Sequence, residues 1–567
     1  MTVPAAAAVA AVDEATAARE LDRLAAAHLV QQPRTGRYTF HDLLRIYAVE
    51  RATAEDPAPE LSAATRRLYA WCRRRTEAAA AATYPQMVRL PSTGDLGTDD
   101  AAGFASAGKA VGFGSADDAA GFGSADDAAG FASAGEAMAW LEAERTNLVR
   151  VVAHAAEHAD PAAWRIPDAL RGYYQFRPHS DGFLAAAHAL RAAQAAGDEA
   201  GEAASRLGLA SLHLRRSEYR VGLEHATAMI DAATRADWPE GLAAAYGTCG
   251  LMHLRAGRLA DAAELTRRAV EIHERLGGAE RLSTSLGNLG VIYRDMGRLR
   301  EAEEVFRQGL ALTRRTGMRM NTGISLSNLG DVEHALGRYD DALAHLGEAL
   351  EVSRETGYRP TEVESLRRLA ALHVHADDLT RAVELAESAL ALAELVGDPS
   401  QQAAARNVLG TVHLRRGDGD AAVAEHRRAL ALARAAGAHG EQAESLIGLA
   451  EVHRRTDPVE ALAVAGQAWE VARTAGYRVW MGHALVTRAE ALSVRDPVAA
   501  ARTARDALAT HRQTGHFLGR LRSLRLLAGI GPAAGLTAVE QATYRREADR
   551  IDDLGRWRTA GRPPGIG

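Results

Sequence analysis

Two consecutive stretches decide the architecture of this chain: LGVIYRDMGRLREAEEVFRQGL (Leu289–Leu310) and LGDVEHALGRYDDALAHLGEAL (Leu329–Leu350). They align without a gap at a step of 40 residues. Three further stretches keep the same step: CGLMHLRAGRLADAAELTRRAV from Cys249, LAALHVHADDLTRAVELAESAL from Leu369 and LGTVHLRRGDGDAAVAEHRRAL from Leu409. Small residues recur in three columns. The first is Gly250, Gly290, Gly330, Ala370 and Gly410; the second Ala262, Ala302, Ala342, Ala382 and Ala422; the third Ala269, Gly309, Ala349, Ala389 and Ala429. Val270, Leu310, Leu350, Leu390 and Leu430 follow the third. Small residues let two helices approach closely, and the aliphatics beside them fill the groove between neighbouring pairs.

Glycines punctuate the same register. Gly257, Gly297, Gly337 and Gly417 fall where a first helix must end, and Gly277, Gly317, Gly357, Gly397 and Gly437 where a second one closes; glycine enters the left-handed cap conformation at little cost. Each unit is therefore a helical hairpin that must stack on its neighbours to bury its apolar stripe. With more drift the pattern continues upstream to Arg206–His213 and downstream to Gly448–His453 and Arg488–Ser493. These columns resemble tetratricopeptide (TPR) repeats of the longer, roughly forty-residue variety. The predicted fold is all-α: a TPR-type helical-hairpin superhelix of about eight repeats over residues 203–528, with 529–567 as a C-terminal tail.

Composition agrees. Hydrophobic residues make up 47% of the 567, but aromatics only 5%, and much of the apolar share is alanine, which suits closely packed helices. A formal charge of -6 argues against a nucleic-acid footprint spread over the whole chain. Cys72 and Cys249 are too few and too isolated for a disulfide framework or a cysteine zinc site. The start, MTVPAAAAVAAVDEA, lacks a basic head and is broken by Asp13 and Glu14; it reads as neither signal peptide nor membrane anchor. The expected location is cytoplasmic.

Upstream of the repeats, Ala17–Ala52 reads as helix, hairpin at Pro33–Gly36, and helix from Asp42. That is the ending of a winged-helix domain, and residues 1–55 are assigned to a partial one. Its phrase GRYTFHDLLRIYA (Gly36–Ala48), with AMAWLEAERTNLVRVV (Ala137–Val152), resembles actinobacterial AfsR-type regulators, which join an NB-ARC nucleotide switch to TPR repeats. The resemblance implies the C-terminal half of such a regulator, without its nucleotide-binding domain. Residues 56–100 then form a helical connector and 136–202 a helical lead-in to the array. Between them, 101–135 carries a nine-residue tandem repeat (GFASAGKAV, GFGSADDAA twice, GFASAGEAM) whose composition predicts a flexible segment. In that family the winged helix serves the switch, so direct DNA contact through it, with Arg34 and Arg37 as wing charges, is the minority reading.

Several motifs imitate chemistry. GFASAGKA (Gly103–Ala110) matches a phosphate-loop core, but Ala110 stands at the magnesium-ligand position and the sister copy carries Glu136 in place of Lys109. His41-Asp42 has no companion ligands and reads as a helix start, with Asp42 capping amides. His213, His253, His373, His413 and His453 share a column with Tyr293 and Glu333. One ligand per repeat, about 10 Å apart, cannot close on one metal. Arg66, Arg67, Arg73, Arg74 and Arg75 around Trp71 read as a solvated helix face or an interdomain contact rather than a nucleic-acid patch. No cofactor, metal or catalytic residue is expected, and the chain is read as a non-enzyme.

The positions two before the small residue of each first helix are Asn288, Asn328 and Arg368. On a TPR first helix this place faces the concave groove, where an amide both donates and accepts and a guanidinium forks to a carboxylate. With Arg294, Asp331 and His334 they form the candidate contact set for a protein or peptide partner. The expected function is a protein- or peptide-binding TPR scaffold or sensor of an AfsR-like transcriptional regulatory protein; the alternative is a free-standing TPR adaptor or signal-peptide receptor.

Overall fold

The computed structural model describes residues 1–85, 87–91, 130–177 and 179–554. Lys109 and nearly all of the tandem repeat lie outside them, so neither the phosphate-loop nor the flexibility expectation meets a structural observation. The chain divides into two compact units, Met1–Thr248 and Cys249–Gly567.

The first unit begins with α1 (Val3–Ala10), α2 (Glu14–Ala26), the strands β1 (Gln31–Arg34) and β2 (Arg37–Thr39), and α3 (Asp42–Glu55). Asp13 starts α2 by accepting from the Thr16 amide at 2.8 Å. The strands are antiparallel and turn at Gly36, whose φ is +72°. The expected capping by Asp42 is not made: His41 occupies the cap position without a side-chain bond, and Asp42, already inside the first turn, meets Arg45 at 3.6 Å. Next come α4 (Ala58–Thr83), α5 (Ala134–Glu157), α6 (Ala162–Phe176), α7 (Asp181–Ala196), α8 (Glu199–Arg215) and α9 (Tyr219–Arg235). Their core is built on the fully buried Leu141, Leu148, Ile166, Leu170 and Tyr173. The arginine cluster on α4 is a contact surface: Arg67 donates to the carbonyls of Ala8 (3.2 Å) and Val9 (2.6 Å), the place where a helix C-terminus favours a cation, and Arg75 lies over the Phe131 ring.

α10 (Pro239–Arg255) spans the division between the units. The second unit continues with the partner of α10, α11 (Leu259–Leu276), and then α12 (Ala279–Asp295) with α13 (Leu299–Thr316) and α14 (Arg319–Ala335) with α15 (Tyr339–Thr356). The next pairs are α16 (Arg359–His375) with α17 (Leu379–Val396) and α18 (Pro399–Arg416) with α19 (Gly419–Ala436). The last are α20 (His439–Thr456) with α21 (Pro458–Ala475), α22 (Arg478–Leu492) with α23 (Pro497–Thr514), and α24 (Phe517–Gly529) with α25 (Ala538–Leu554). The pair α24 and α25 is a hairpin beyond those visible in the repeat columns. Its second helix follows a short 3-10 turn and packs Ala548 and Ile551 against Leu524 and Leu527.

The columns do what their residues allow. In α13, Leu299, Ala302, Phe306, Leu310 and Thr313 are buried, a stripe at helical spacing. A Cβ placed on Gly290 would lie 2.4 Å from the Phe306 ring, and one on Gly330 would lie 2.6 Å from Leu346. The histidine column is structural: His213 meets Glu218 at 2.6 Å, His253 meets Asp261 at 3.4 Å and His373 meets Asp378 at 3.4 Å, each imidazole reaching the start of its own second helix.

The array coils until its late hairpins touch its early turns. A Cβ on Gly297 would lie 2.6 Å from Thr514 Cγ2, and one on Gly337 would lie 2.5 Å from the Phe517 ring. Both glycines have positive φ, +74° and +83°, so each turns the chain and leaves room for the returning hairpin. Tyr339 meets Phe517 edge to face at 5.9 Å, and Gly257 lies against Ala475.

Beside this seam, His483, His511 and His516 stand with ring centroids 4.6–5.4 Å apart. His511 is fully buried, with neither ring nitrogen hydrogen-bonded. Burial lowers its pKa to about 4, as it does for His426; His483 and His516 lie well below their ordinary value for the same reason, with their histidine neighbours adding to it. Unfolding returns each to an ordinary value, so at these four positions the unfolded chain binds more protons than the folded one below pH 6.5, and their contribution to stability falls as pH drops from about 6.5 to 4. For His511 and His426 the loss at pH 5.5 is about 1.4 kcal/mol each. Carboxyls raised by burial, Glu444 among them, gain stability over the same interval, so the histidine contribution is read by comparing urea titrations of wild type and His511→Phe at pH 7.5 and 5.5, the variant losing less or gaining more on acidification; the same pH dependence in both proteins would contradict the assignment of a neutral buried imidazole to His511.

Candidate functional site

The first helices α12, α14, α16, α20 and α22 present polar side chains toward one another across the inside of the coil. Arg294 Nη1 donates to Asp331 at 3.1 Å and Arg294 Nε to Asp295 at 2.9 Å. Arg368 Nη1 donates to Ser327 Oγ at 2.8 Å and Asn328 Oδ1 at 3.1 Å, while the rest of its guanidinium meets Asp331 at 3.6 Å and Glu364 at 3.2 Å. Arg367 Nη2 donates to Glu364 at 2.8 Å. From α20, Glu444 accepts from the Asn407 amide at 3.3 Å. Farther along, Arg522 forks onto Glu490 at 2.7 and 2.6 Å and also reaches Glu451.

These groups are enclosed and still wet. Arg294 and Asp331 keep 26% and 25% of their side-chain surface accessible, although protein surrounds them closely enough for burial to be the first influence on each pKa. A water-accessible lumen gives both observations. Burial works to raise the Asp331 carboxyl, but Arg368, Arg294 and Arg367 together hold it well below the usual carboxylate range. Glu364 likewise overcomes its burial through Arg367 and Arg368 and is held down to about 2. Glu444 is the opposite case: burial, only partly offset by Arg367, pushes it up to about 7. Burial, then the neighbouring His375, lowers His334 to about 4.

Five of the six sequence-predicted residues lie together here. Asn328, Arg368, Arg294 and Asp331 form one bonded network, and His334 sits one turn beyond Asp331, 6.1 Å ring to ring from His375. Asn288 is half-buried one repeat earlier and makes none of the network's hydrogen bonds. Arg368 is not the exposed groove residue expected from its column. It is 5% accessible, because α16 turns it back onto Ser327 and Asn328 of the preceding first helix. Sequence reasoning missed Glu364, Arg367 and Glu444; their signal was charge on α16 and α20. Among the described residues no cluster of histidine, cysteine or acidic side chains could hold a metal ion, and no helix is long and apolar enough to cross a membrane.

Stacked 40-residue hairpins with a polar inner face define a tetratricopeptide-repeat array. The tetratricopeptide repeat family profile matches residues 241–315, 321–394 and 401–474. No curated protein matches the chain. Among solved structures, it is similar to a Rap protein complexed with competence and sporulation factor, at 12% identity and a TM-score of 0.43 over 62% of this chain and 98% of that one. It is also similar to the apo quorum sensor NprR from B. thuringiensis, at 15% identity and a TM-score of 0.39 over 58% and 99%. A STAND signal-transduction ATPase with a tetratricopeptide repeat sensor, from Pyrococcus horikoshii, matches at 12% identity and a TM-score of 0.35 over 59% and 55%.

Proposed function

We propose that the array is a protein- or peptide-binding module whose lumen receives an extended polypeptide, and that it serves as the sensor or docking part of an AfsR-like regulatory protein acting in the cytoplasm. The observation that carries the binding reading is the network of Arg294, Asp331 and Asn328, braced by the buried Arg368, in which Arg294 and Asp331 combine costly burial with retained accessible surface. A purely structural interior would be served as well by apolar side chains, whereas an accessible set of donors and acceptors suits a polypeptide backbone and its side chains. The regulator reading is supported by the order helix, β-hairpin, helix ahead of the array. Direct DNA contact is disfavoured by Arg37, whose guanidinium is paired with Glu144 and is not free for a phosphate.

Peptides selected from a displayed random library on the full chain should bind the wild type and lose at least about tenfold in affinity in the Asn288→Ala, Asn328→Ala double variant, with Asn288→Ala alone leaving the melting temperature nearly unchanged. Equal affinity in the double variant would move the binding surface elsewhere.

A further inference from the structure

In the first unit, residues 87–91 follow α4 as neither helix nor strand, and α6 holds them by their main chain. Arg171 Nη2 donates to the Val88 carbonyl, the Leu90 amide donates to Asp168 Oδ2 at 2.9 Å, and Arg165 Nη2 donates to the Pro91 carbonyl at 3.0 Å. Arg165, Asp168 and Arg171 leave one side of α6 at every third residue and are 8%, 7% and 4% accessible. The side chains of the segment alternate, as in an extended chain. Val88 and Leu90 pack against the core formed by Leu207 of α8, Met229 of α9 and Trp238. Met87 joins the other core of the unit, and Arg89 donates to the carbonyls of Glu77 (3.3 Å) and Tyr84 (3.1 Å) at the end of α4, where a cation is favoured.

Burying three ionised groups is costly, and apolar side chains would fix a connecting segment as well. What the arrangement supplies is the way an extended peptide is bound: main-chain bonds for affinity, and apolar pockets for alternate side chains for specificity. The segment is also weakly integrated into the fold. Residues 87–90 are half-buried and Pro91 is exposed. Among the described residues one bond joins its main chain to other backbone, from the Met87 amide to the Tyr84 carbonyl at 3.2 Å. Arg171 and Asp168 lie 3.5 Å apart, so departure of the segment leaves an ion pair and not two isolated buried charges.

We infer that this side of α6 is a polypeptide-binding groove occupied by the chain's own residues 87–91, and that a separate extended polypeptide with the same order of apolar, basic, apolar and proline residues as Val88, Arg89, Leu90 and Pro91 enters it by displacing them. In the intact wild type, hydrogen exchange at the Leu90 amide should be at least about a hundredfold faster than at the slowest amides of α6, because the segment is released before the helix unfolds. Equal protection at the two places would make the segment part of the core and overturn the inference. The Val88→Asp, Leu90→Asp variant expels the segment and vacates the groove. A fluorescein-labelled peptide MVRLP with an amidated C-terminus should bind that variant saturably, and the wild type at least about tenfold more weakly, since a tethered occupant competes at high effective concentration. Adding Arg165→Met, which leaves the pair of Arg171 and Asp168 in place, should weaken binding to the vacated groove at least about tenfold. A folded double variant that does not bind the peptide, or that binds it equally well with Arg165→Met, would overturn the inference; if the double variant does not fold, the exchange measurement on the wild type decides alone.

Discussion

Replacing Gly290 by leucine should destabilise the protein by about 3 kcal/mol or more. Even a single Cβ at this position would stand 2.4 Å from the ring of Phe306, and Phe306, 1% accessible, has no free space to move into. The leucine must therefore prise α12 from α13, and in a stacked array that displacement also reaches the next interface. Gly287 on the same helix is the control. A Cβ there meets nothing within 4 Å, so Gly287→Ala should stabilise by about 0.5–1 kcal/mol through helix propensity alone. Denaturant midpoints by circular dichroism measure both. Equal effects of opposite expectation would mean that the small-residue column does not set the hairpin spacing.

The second large effect is expected at Arg368. Its removal leaves Asp331 and Glu364 facing each other's field with one cation fewer, and breaking a buried ionic arrangement costs about 3–5 kcal/mol. Asp331 and Glu364 each retain about a quarter of their side-chain surface, so water screens part of the loss and Arg368→Ala should cost about 3 kcal/mol. Asp331→Asn in the same chain should restore part of it, because the amide needs no counter-charge. If Arg368→Ala melts like the wild type, the guanidinium is solvated and the network is not structural.

These two residues also mark where sequence reasoning reached and where it stopped. Gly290 was legible because a 40-residue period repeats it at Gly250, Gly330 and Gly410, and a repeated small residue has one physical meaning between helices. Arg368 was assigned to the right column and the wrong environment. Period fixes which face of α16 a side chain leaves from, but not whether Ser327 and Asn328 of the preceding helix take it in. The seam was beyond reach for a related reason. Thr514 and Phe517 lie more than 170 residues from the turns at Gly297 and Gly337 that they cover, and a nearest-neighbour repeat pattern contains no information about contacts between distant repeats. Nor could it show the histidines gathered there, since His483, His511 and His516 fall in different columns.

The proposal that a polypeptide enters the lumen is tested most directly by placing a photo-crosslinking amino acid at Asn288, the proposed groove position, and in a second protein at Gln308, exposed on the second helix α13. With a selected peptide ligand present at saturating concentration, irradiation should attach the peptide at position 288 and not at 308. Attachment at 308 with none at 288 would place the ligand on the outer surface and contradict the account.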